Sequence, residues 1–135
     1  MARMEWSDAL SVKISTFDNE HKKLIEIFNK LSVSMSQGQG KQVVSDVLAE
    51  LSNYTKTHFL HEEETMKKYD YPGFAEHKKA HDEFISRLNE TQSKHQSGSA
   101  RLGIPIFTML TSWITNHIQK VDRNYSEFFI KAGMK

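Results

Sequence analysis

Two pairs of side chains in this sequence have the spacing of metal chelators on a helix. His77 and His81 are four residues apart, and His58 and Glu62 have the same spacing. Residues four apart are neighbours on one helix face, so each pair can hold one metal ion. A buried imidazole or carboxylate costs free energy unless its polar atoms find partners. A single buried histidine is usually a hydrogen-bonded core residue, so the argument depends on how many such residues converge.

Three more residues extend the set to five histidines and two carboxylates. His21 and His117 lie in the apolar stripes of two further predicted helices, so every one of the four stripes carries a histidine. Asp122 follows His117 by five residues, which is about 140° of rotation on an unbroken α-helix. We therefore predict that the fourth helix ends or loosens between Ile118 and Asp122. Asp122 then turns back into the core as a second bridging carboxylate beside Glu62.

The size of this set indicates the kind of metal site. Five neutral imidazoles and two bridging carboxylates are too many ligands for one tetrahedral zinc ion. They suit two metal ions of higher coordination number. Imidazole with carboxylate fits iron best, while zinc, manganese and copper remain open on ligand type alone.

The elements that position these residues are predicted to be helices. Apolar residues recur three and four positions apart, and no strand-like alternation or internal repeat is visible. Helices connected by short breaks are typical of an up-down-up-down four-helix bundle, so an all-α fold is expected. The predicted domain is a single one over residues 1–135, with helices at about 18–37, 41–68, 74–95 and 103–119 and a short C-terminal helix at 123–131.

Local signals place the helix ends. Asp18 or Asn19 is expected to cap the first helix, after an irregular N-terminal arm. The stretch 70–73, Asp-Tyr-Pro-Gly, predicts a turn, and the Ser/Gly segments 36–40 and 97–99 predict two further breaks. Pro105 is expected in the first turn of the fourth helix.

Composition excludes several other kinds of protein. The net charge is +1 with no cluster of basic residues, which argues against a nucleic-acid or charged-membrane partner. The chain has no cysteine, which excludes disulfides, thiolate sites and iron–sulfur clusters. No apolar run is long enough for membrane insertion or a signal peptide, and a cytoplasmic location is expected.

The candidate ligands lie in four longer motifs. They are Asp18-Asn19-Glu20-His21-Lys22, His58-Phe59-Leu60-His61-Glu62-Glu63, His77-Lys78-Lys79-Ala80-His81 and the stretch Trp113-Ile114-Thr115-Asn116-His117-Ile118-Gln119-Lys120-Val121-Asp122. Together these motifs are highly specific, and with them the sequence resembles the hemerythrin family, specifically its single-domain bacterial members. The resemblance covers nearly the whole chain, including the early Trp6.

The resemblance implies a cofactor of two iron ions with a bridging oxo or hydroxo group. One iron is held by three histidines and the other by two, and two carboxylates bridge them. The second iron therefore keeps an open position, where O2 binds reversibly in this family. The implied ligands are His77, His81 and His117 for one iron, His21 and His58 for the other, and Glu62 and Asp122 as bridges.

Matching the family's pocket also implies an apolar lining for the O2 site. The residues at the matching positions are Phe59, Met66, Trp113, Ile114 and Ile118. Apolar walls slow the arrival of water and favour a small nonpolar ligand. Ordinary bundle core is the alternative interpretation of these residues, above all for Met66 and Ile118.

Some nearby residues are predicted to lie outside the site. His61 is interpreted as a boundary or surface residue that could tune the site, and His95 as solvated. Glu63 and Glu64 are expected on a solvated face, paired with lysines four positions later. Tyr54, Tyr69 and Tyr125 are expected to pack in the core, although each could be redox-active near iron.

Three functions fit this set of residues. The first is reversible O2 binding by a carrier, a store or a supplier of an oxygen-consuming enzyme, with no catalytic residue and a monomer as the expected state. The second is a di-iron redox enzyme, such as a peroxidase, an oxidase or a nitric oxide reductase, although the paired ExxH motifs of ferritin-like oxidases are absent. The third is an O2 or redox sensor that acts on a separate partner. A thermolysin-like zinc protease is excluded because residue 78 is lysine where HExxH needs glutamate.

Overall fold

Helices make up most of the chain in the computed structural model, which describes residues 4–37, 41–97 and 104–133. The described residues contain no strand, which confirms the predicted all-α fold class. A short 3₁₀ helix at Asp8–Leu10 is the only helix before the bundle among these residues. The bundle helices are α1 (Ser15–Ser36), α2 (Lys41–Lys68), α3 (Phe74–Ser97), α4 (Ile104–Asn116) and α5 (Arg123–Lys131), with a π-helix (His117–Asp122) between α4 and α5.

Aromatic pairs show how the helices close into a bundle. α2 packs against both α1 and α3. The rings of Phe28 on α1 and Phe107 on α4 lie 6.3 Å apart, and those of Phe84 on α3 and Trp113 on α4 are stacked at 4.3 Å. Each helix therefore turns one face to a shared interior.

The predicted turn between the second and third helices is present. α2 ends at Lys68, α3 begins at Phe74, and Asp70 between them has a φ of 54°. Gly73 lies directly against the ring of Tyr71, because a Cβ at position 73 would be 2.8 Å from a ring carbon. A side chain at position 73 would therefore require the Tyr71 ring to shift. The other two predicted breaks lie mostly outside the described residues, whereas Pro105 is the second residue of α4, as expected.

The predicted cap of the first helix is wrong. α1 begins at Ser15, and neither Asp18 nor Asn19 precedes it. Asp18 instead accepts hydrogen bonds from the Val12 N–H at 2.8 Å and the Ser11 hydroxyl at 2.6 Å. These bonds connect the N-terminal arm to α1. A negative side chain is also favourable in the first turn because it interacts with the positive end of the helix dipole.

Two apolar clusters form the core, one on each side of a buried polar layer. The larger one, called the upper cluster, includes Leu24, Phe28, Leu48, Phe59 and Ile118. The smaller one, called the lower cluster, contains Val12, Ile14, Phe17, Met66, Tyr125 and Phe129. Each fully buried side chain of this kind contributes about 1.5–3 kcal/mol to stability. This apolar burial offsets the cost of the polar layer between the clusters.

Among the described residues, no helix is both long enough and apolar enough to cross a membrane.

Candidate metal centre

The structure brings all seven predicted ligands into one buried layer. Each of their side chains is at most 3% exposed. α1 contributes one of them, α2 two, α3 two, and the π-helix both of its end residues. They are His21, His58, Glu62, His77, His81, His117 and Asp122.

A π-helix carries Asp122 into this layer. The six residues His117–Asp122 form the π-helical turn, which continues from α4 into α5 without a break. Because a π-turn closes with i→i+5 hydrogen bonds, it aligns residues five apart on one face. The loosening expected between Ile118 and Asp122 is therefore present, whereas the expected end of the helix is not. On an α-helix, two residues five positions apart point about 140° away from each other. One wider turn corrects this offset without breaking the hydrogen bonding of the backbone.

The carboxylate of Glu62 divides its oxygens between two groups of histidines. Its Oε1 lies 3.1 Å from His81 Nε2 and 3.7 Å from His77 Nε2. Its Oε2 lies 3.5 Å from both His21 Nε2 and His58 Nε2. A carboxylate placed like this can give one oxygen to each of two metal ions.

Asp122 divides its oxygens in the same way. Its Oδ1 lies 2.9 Å from His77 Nε2 and 3.0 Å from His117 Nε2, and its Oδ2 lies 3.2 Å from His21 Nε2. Two ligand sets result, within each of which the donor atoms lie less than 4.8 Å from one another. The three-histidine set is Glu62, His77, His81, His117 and Asp122, and the two-histidine set is His21, His58, Glu62 and Asp122.

Most of the nitrogen and oxygen atoms that could bind a metal have no hydrogen-bond partner. Separations as short as 2.9 Å bring the atoms together, but their angles are not those of hydrogen bonds. Leaving a buried polar atom unsatisfied costs about 1–3 kcal/mol. Cations between the converging lone pairs remove that cost, so the donor set fits two metal ions. The unpartnered atoms are Nδ1 and Nε2 of His21, Nε2 of His77, His81 and His117, Oε1 of Glu62, and both carboxylate oxygens of Asp122.

The charges of this layer favour a bound cation. Burial raises the pKa of Glu62, but His58 and the other facing histidines lower it to well below its ordinary value. Burial lowers the pKa of His21, but Asp122 and Glu62 more than offset this and raise it to about 10. The same balance raises the pKa of His77 to about 9. Without a metal, protons on His21 and His77 therefore offset the charge of the carboxylates, and a metal ion takes over that role by displacing them.

Two further carboxylates orient candidate ligands from behind. His58 donates its Nδ1–H to Glu20 Oε1 at 2.6 Å, and His81 donates its Nδ1–H to Glu63 Oε2 at 2.9 Å. These bonds fix the tautomers so that both Nε2 atoms face the centre. The prediction that Glu63 is solvated is wrong: its side chain is 13% exposed and it faces His81 on the neighbouring helix. The spacing along α2 pointed only to a lysine partner for Glu63, because contacts between different helices cannot be inferred from the spacing within one helix.

The second oxygen of Glu20 binds another histidine. Its Oε2 accepts a hydrogen bond from His61 Nδ1 at 2.6 Å. The His61 side chain is 42% exposed, so it lies at the boundary of the core, as the sequence predicts. Burial raises the pKa of Glu20, but its bonds to His58 and His61 lower it below the ordinary value, so the carboxylate stays ionised. The link between the two histidines was not foreseen.

Tyr125 contacts the centre as well as the core. Its side chain is fully buried and stacks on Phe129, with ring centroids 4.8 Å apart. Its hydroxyl also donates a hydrogen bond to Glu62 Oε2 at 2.6 Å. Burial and the nearby carboxylates raise the pKa of Tyr125 well above its ordinary value, so the phenol keeps its proton. Core packing was the expected role, and the bond to Glu62 also connects Tyr125 to the candidate centre.

Four of the five predicted pocket residues lie together. Phe59 stacks on His81 at 3.8 Å and Trp113 on His117 at 4.6 Å, so both rings contact the three-histidine set. Phe59 also lies 5.9 Å from His58. Ile114 and Ile118 are buried in the same upper cluster.

Met66 does not join them, which corrects the predicted pocket. It belongs to the lower cluster with Tyr125 and Phe129. Its position four residues after Glu62 puts it one helical turn further along α2, beyond the polar layer.

The remaining histidine is also placed differently from the prediction. His95 is only 3% exposed, so it is not solvated. α3 continues to Ser97, and its buried face includes Phe84, Leu88, Thr91 and His95 at spacings of three and four. His95 therefore continues the inner stripe of α3 but lies 14 residues beyond His81, or about 21 Å along the helix.

Comparison with known proteins relates this geometry to one family. The Hemerythrin HHE cation binding domain matches residues 12–128. The chain is 36% identical over 127 residues to Bacteriohemerythrin of Stenotrophomonas maltophilia (strain R551-3), covering 94% of this chain and 82% of that protein. It is 33% identical to Hemerythrin of Themiste dyscrita, covering 89% of this chain and 88% of that protein. Its structure is similar to a crystal structure of wild-type hemerythrin, with a TM-score of 0.88, 31% identity, and coverage of 93% and 97% of the two chains.

Proposed function

Because the chain belongs to the hemerythrin family, we propose that it binds two iron ions in its polar layer and binds O2 reversibly there. One observation carries the proposal: Glu62 and Asp122 each place one oxygen near the three-histidine set and the other oxygen near the two-histidine set. Two metal ions held by these unequal sets differ in coordination, and the position with fewer ligands is the one open to a small molecule.

The residues divide into ligands and supports. The three-histidine set holds one iron, the two-histidine set holds the other, and Glu62 and Asp122 bridge them together with an oxo or hydroxo group. When bound, the iron pair supplies the electrons that reversible O2 binding requires. Glu20 and Glu63 keep His58 and His81 aligned, and Tyr125 holds the Glu62 carboxylate in place.

The upper cluster favours binding without further chemistry. Phe59, Trp113, Ile114 and Ile118 form an apolar wall beside the histidines, which keeps water away from the centre. Five neutral imidazoles also donate less charge to the metal than a carboxylate-rich shell does. The proposed role is therefore a carrier, a store or a supplier of O2 to an oxygen-consuming enzyme.

The test is a metal analysis combined with anaerobic absorption spectroscopy. Iron-loaded, reduced protein is exposed to O2 and then deoxygenated under argon. Two irons per chain, with near-ultraviolet and visible charge-transfer bands that appear with O2 and disappear on its removal, support the proposal. Irreversible oxidation of the iron by O2 overturns the carrier role, and His58→Ala is the control that should abolish the reversible bands.

A peroxidase is a second candidate, favoured by the position of Tyr125. A buried phenol hydrogen-bonded to a candidate bridging ligand is a residue that can give up an electron and a proton. Steady oxidation of a reducing dye by hydrogen peroxide, lost in Tyr125→Phe while the iron content is unchanged, supports this function. Unchanged turnover in Tyr125→Phe would show that Tyr125 takes no part in the reaction, which would contradict the reason for proposing a peroxidase.

A further inference from the structure

Glu20 connects a candidate metal ligand to a histidine at the surface of the bundle. Both of its oxygens accept hydrogen bonds at 2.6 Å, one from His58 and the other from His61. Bonds this short between a carboxylate and an imidazole are strong and directional. The carboxylate therefore has little freedom to turn, and its orientation depends on both histidines.

Two further contacts hold Glu20 and His61 in position. The Tyr54 hydroxyl donates to the backbone carbonyl of Glu20 at 3.0 Å, which fixes the residue on α1. Phe17 packs on His61 with ring centroids 5.1 Å apart. Tyr54, His58 and His61 have spacings of four and three, so one face of α2 meets Glu20 at three points.

We propose that His61 is a positioning residue of the metal centre, which acts through Glu20 to orient His58 and so sets the metal affinity of the two-histidine set. His61 does not contact the metal. It restrains a carboxylate that would otherwise have one oxygen free to exchange with water, and that carboxylate aims the ligand. This inference depends on the proposed metal site and assigns a residue that the ligand pattern leaves out.

The other half of the centre provides a contrast. Glu63 orients His81 through a single bond of 2.9 Å, and no second histidine bonds to Glu63 among the described residues. Loss of His61 is therefore expected to affect one metal position and not the other. A general loss of packing in the bundle would instead affect both positions, because Glu62 and Asp122 belong to both sets, and it would lower the melting temperature of the metal-free protein.

The test is a metal titration of otherwise identical variants. Metal-free wild type, His61→Leu, His61→Gln, Glu20→Gln and Glu63→Gln are titrated anaerobically with Co²⁺ against a competing chelator, and the Co²⁺ absorption bands are recorded. His61→Leu removes the donor to Glu20, whereas the amide of His61→Gln restores one. Melting temperatures of the metal-free forms show whether each variant is folded.

The expected result is a selective one. Wild type binds two Co²⁺ ions, and His61→Leu weakens one of them by roughly tenfold, the lower end of the 10–100-fold range for such outer contacts. His61→Gln recovers most of that loss, Glu20→Gln weakens the same ion, and Glu63→Gln weakens the other. A folded His61→Leu that binds both ions as wild type does, or binds both equally weakly, overturns the inference. Wild type that binds fewer than two ions instead contradicts the proposed function.

Discussion

His117 Nε2 and Asp122 Oδ1 lie 3.0 Å apart although the two residues are separated by five positions. The π-helix between them makes this approach possible. Asp122 also faces His21 through its other oxygen. A single carboxylate at the end of one wide turn therefore joins the two halves of the candidate centre.

Replacing Asp122 by asparagine is expected to lower the metal content from two ions per chain to one. The side chain keeps its shape but loses the charge that offsets a second cation in a buried site. Metal analysis of the purified variant, together with its Co²⁺ spectrum, checks this. Asp82→Asn is the matched control, because Asp82 is exposed and pairs only with Lys78 in the contacts of this helix. Two tightly bound ions in Asp122→Asn would show that Asp122 is not a bridging ligand.

The fold and most of the candidate ligands could be predicted from the sequence because their signals are local. Spacings of three and four place His77, His81, His58 and Glu62 on inner faces of helices. The supports of those ligands could not be predicted in this way. Glu20 and Glu63 are acidic residues beside other acidic or polar residues, and their partners are on different helices.

The π-helix could be predicted only in part. The offset between His117 and Asp122 showed that the fourth helix must change its winding. Nothing in the stretch Ile118–Val121 distinguishes a wider turn from a break, because no glycine or proline marks it. The wider turn keeps the backbone hydrogen bonds of a segment whose two ends, His117–Ile118 and Asp122, are buried.

Replacing Tyr125 by phenylalanine is expected to destabilise the metal-free protein by about 1.5–3 kcal/mol, the usual value of a hydrogen bond to a charged group. The hydroxyl bonds to Glu62 in a fully buried position, so its loss leaves a buried carboxylate oxygen without this partner. Urea unfolding monitored by circular dichroism measures the change. Tyr54→Phe is the control, since its hydroxyl bonds to a neutral backbone carbonyl and is expected to contribute only about 0.5–1.5 kcal/mol. Equal losses in the two variants would contradict a special role for the bond to Glu62.

The stability of the metal-free protein is expected to fall as the pH rises from 6.5 towards 10. The pKa of His21 is raised from 6.5 to about 10 and that of His77 to about 9, so both bind protons more tightly in the folded state. Their contribution is complete below pH 6.5 and is lost as the pH rises through 9 and 10. The pKa of Glu62 is lowered from 4.5, so its contribution is instead lost below that pH.

Metal should reverse this trend, because binding displaces the histidine protons. The difference in melting temperature between Zn²⁺-loaded and metal-free protein is expected to widen between pH 6.5 and pH 9, the interval set by His77. Thermal unfolding at several pH values in that interval measures both forms. A metal-free protein that becomes more stable across the interval would mean that His21 and His77 do not hold protons beside Glu62 and Asp122.

Shortening an apolar side chain beside the histidines is expected to impair O2 retention more than an equally destabilising change elsewhere in the upper cluster. Ile118→Ala opens a cavity in the upper cluster next to His117, at a cost of about 2–5 kcal/mol in unfolding free energy. Leu48→Ala removes a fully buried side chain from the same cluster, ten residues before His58 on α2, and should cost a similar amount. Water reaching the centre favours irreversible oxidation, so the O2-dependent bands of Ile118→Ala should decay faster than those of Leu48→Ala. The decay is followed by absorption spectroscopy in air-saturated buffer. If the two variants decay at the same rate, the apolar side chains near His117 protect the centre only through general stability, and other residues must shield the proposed O2 site.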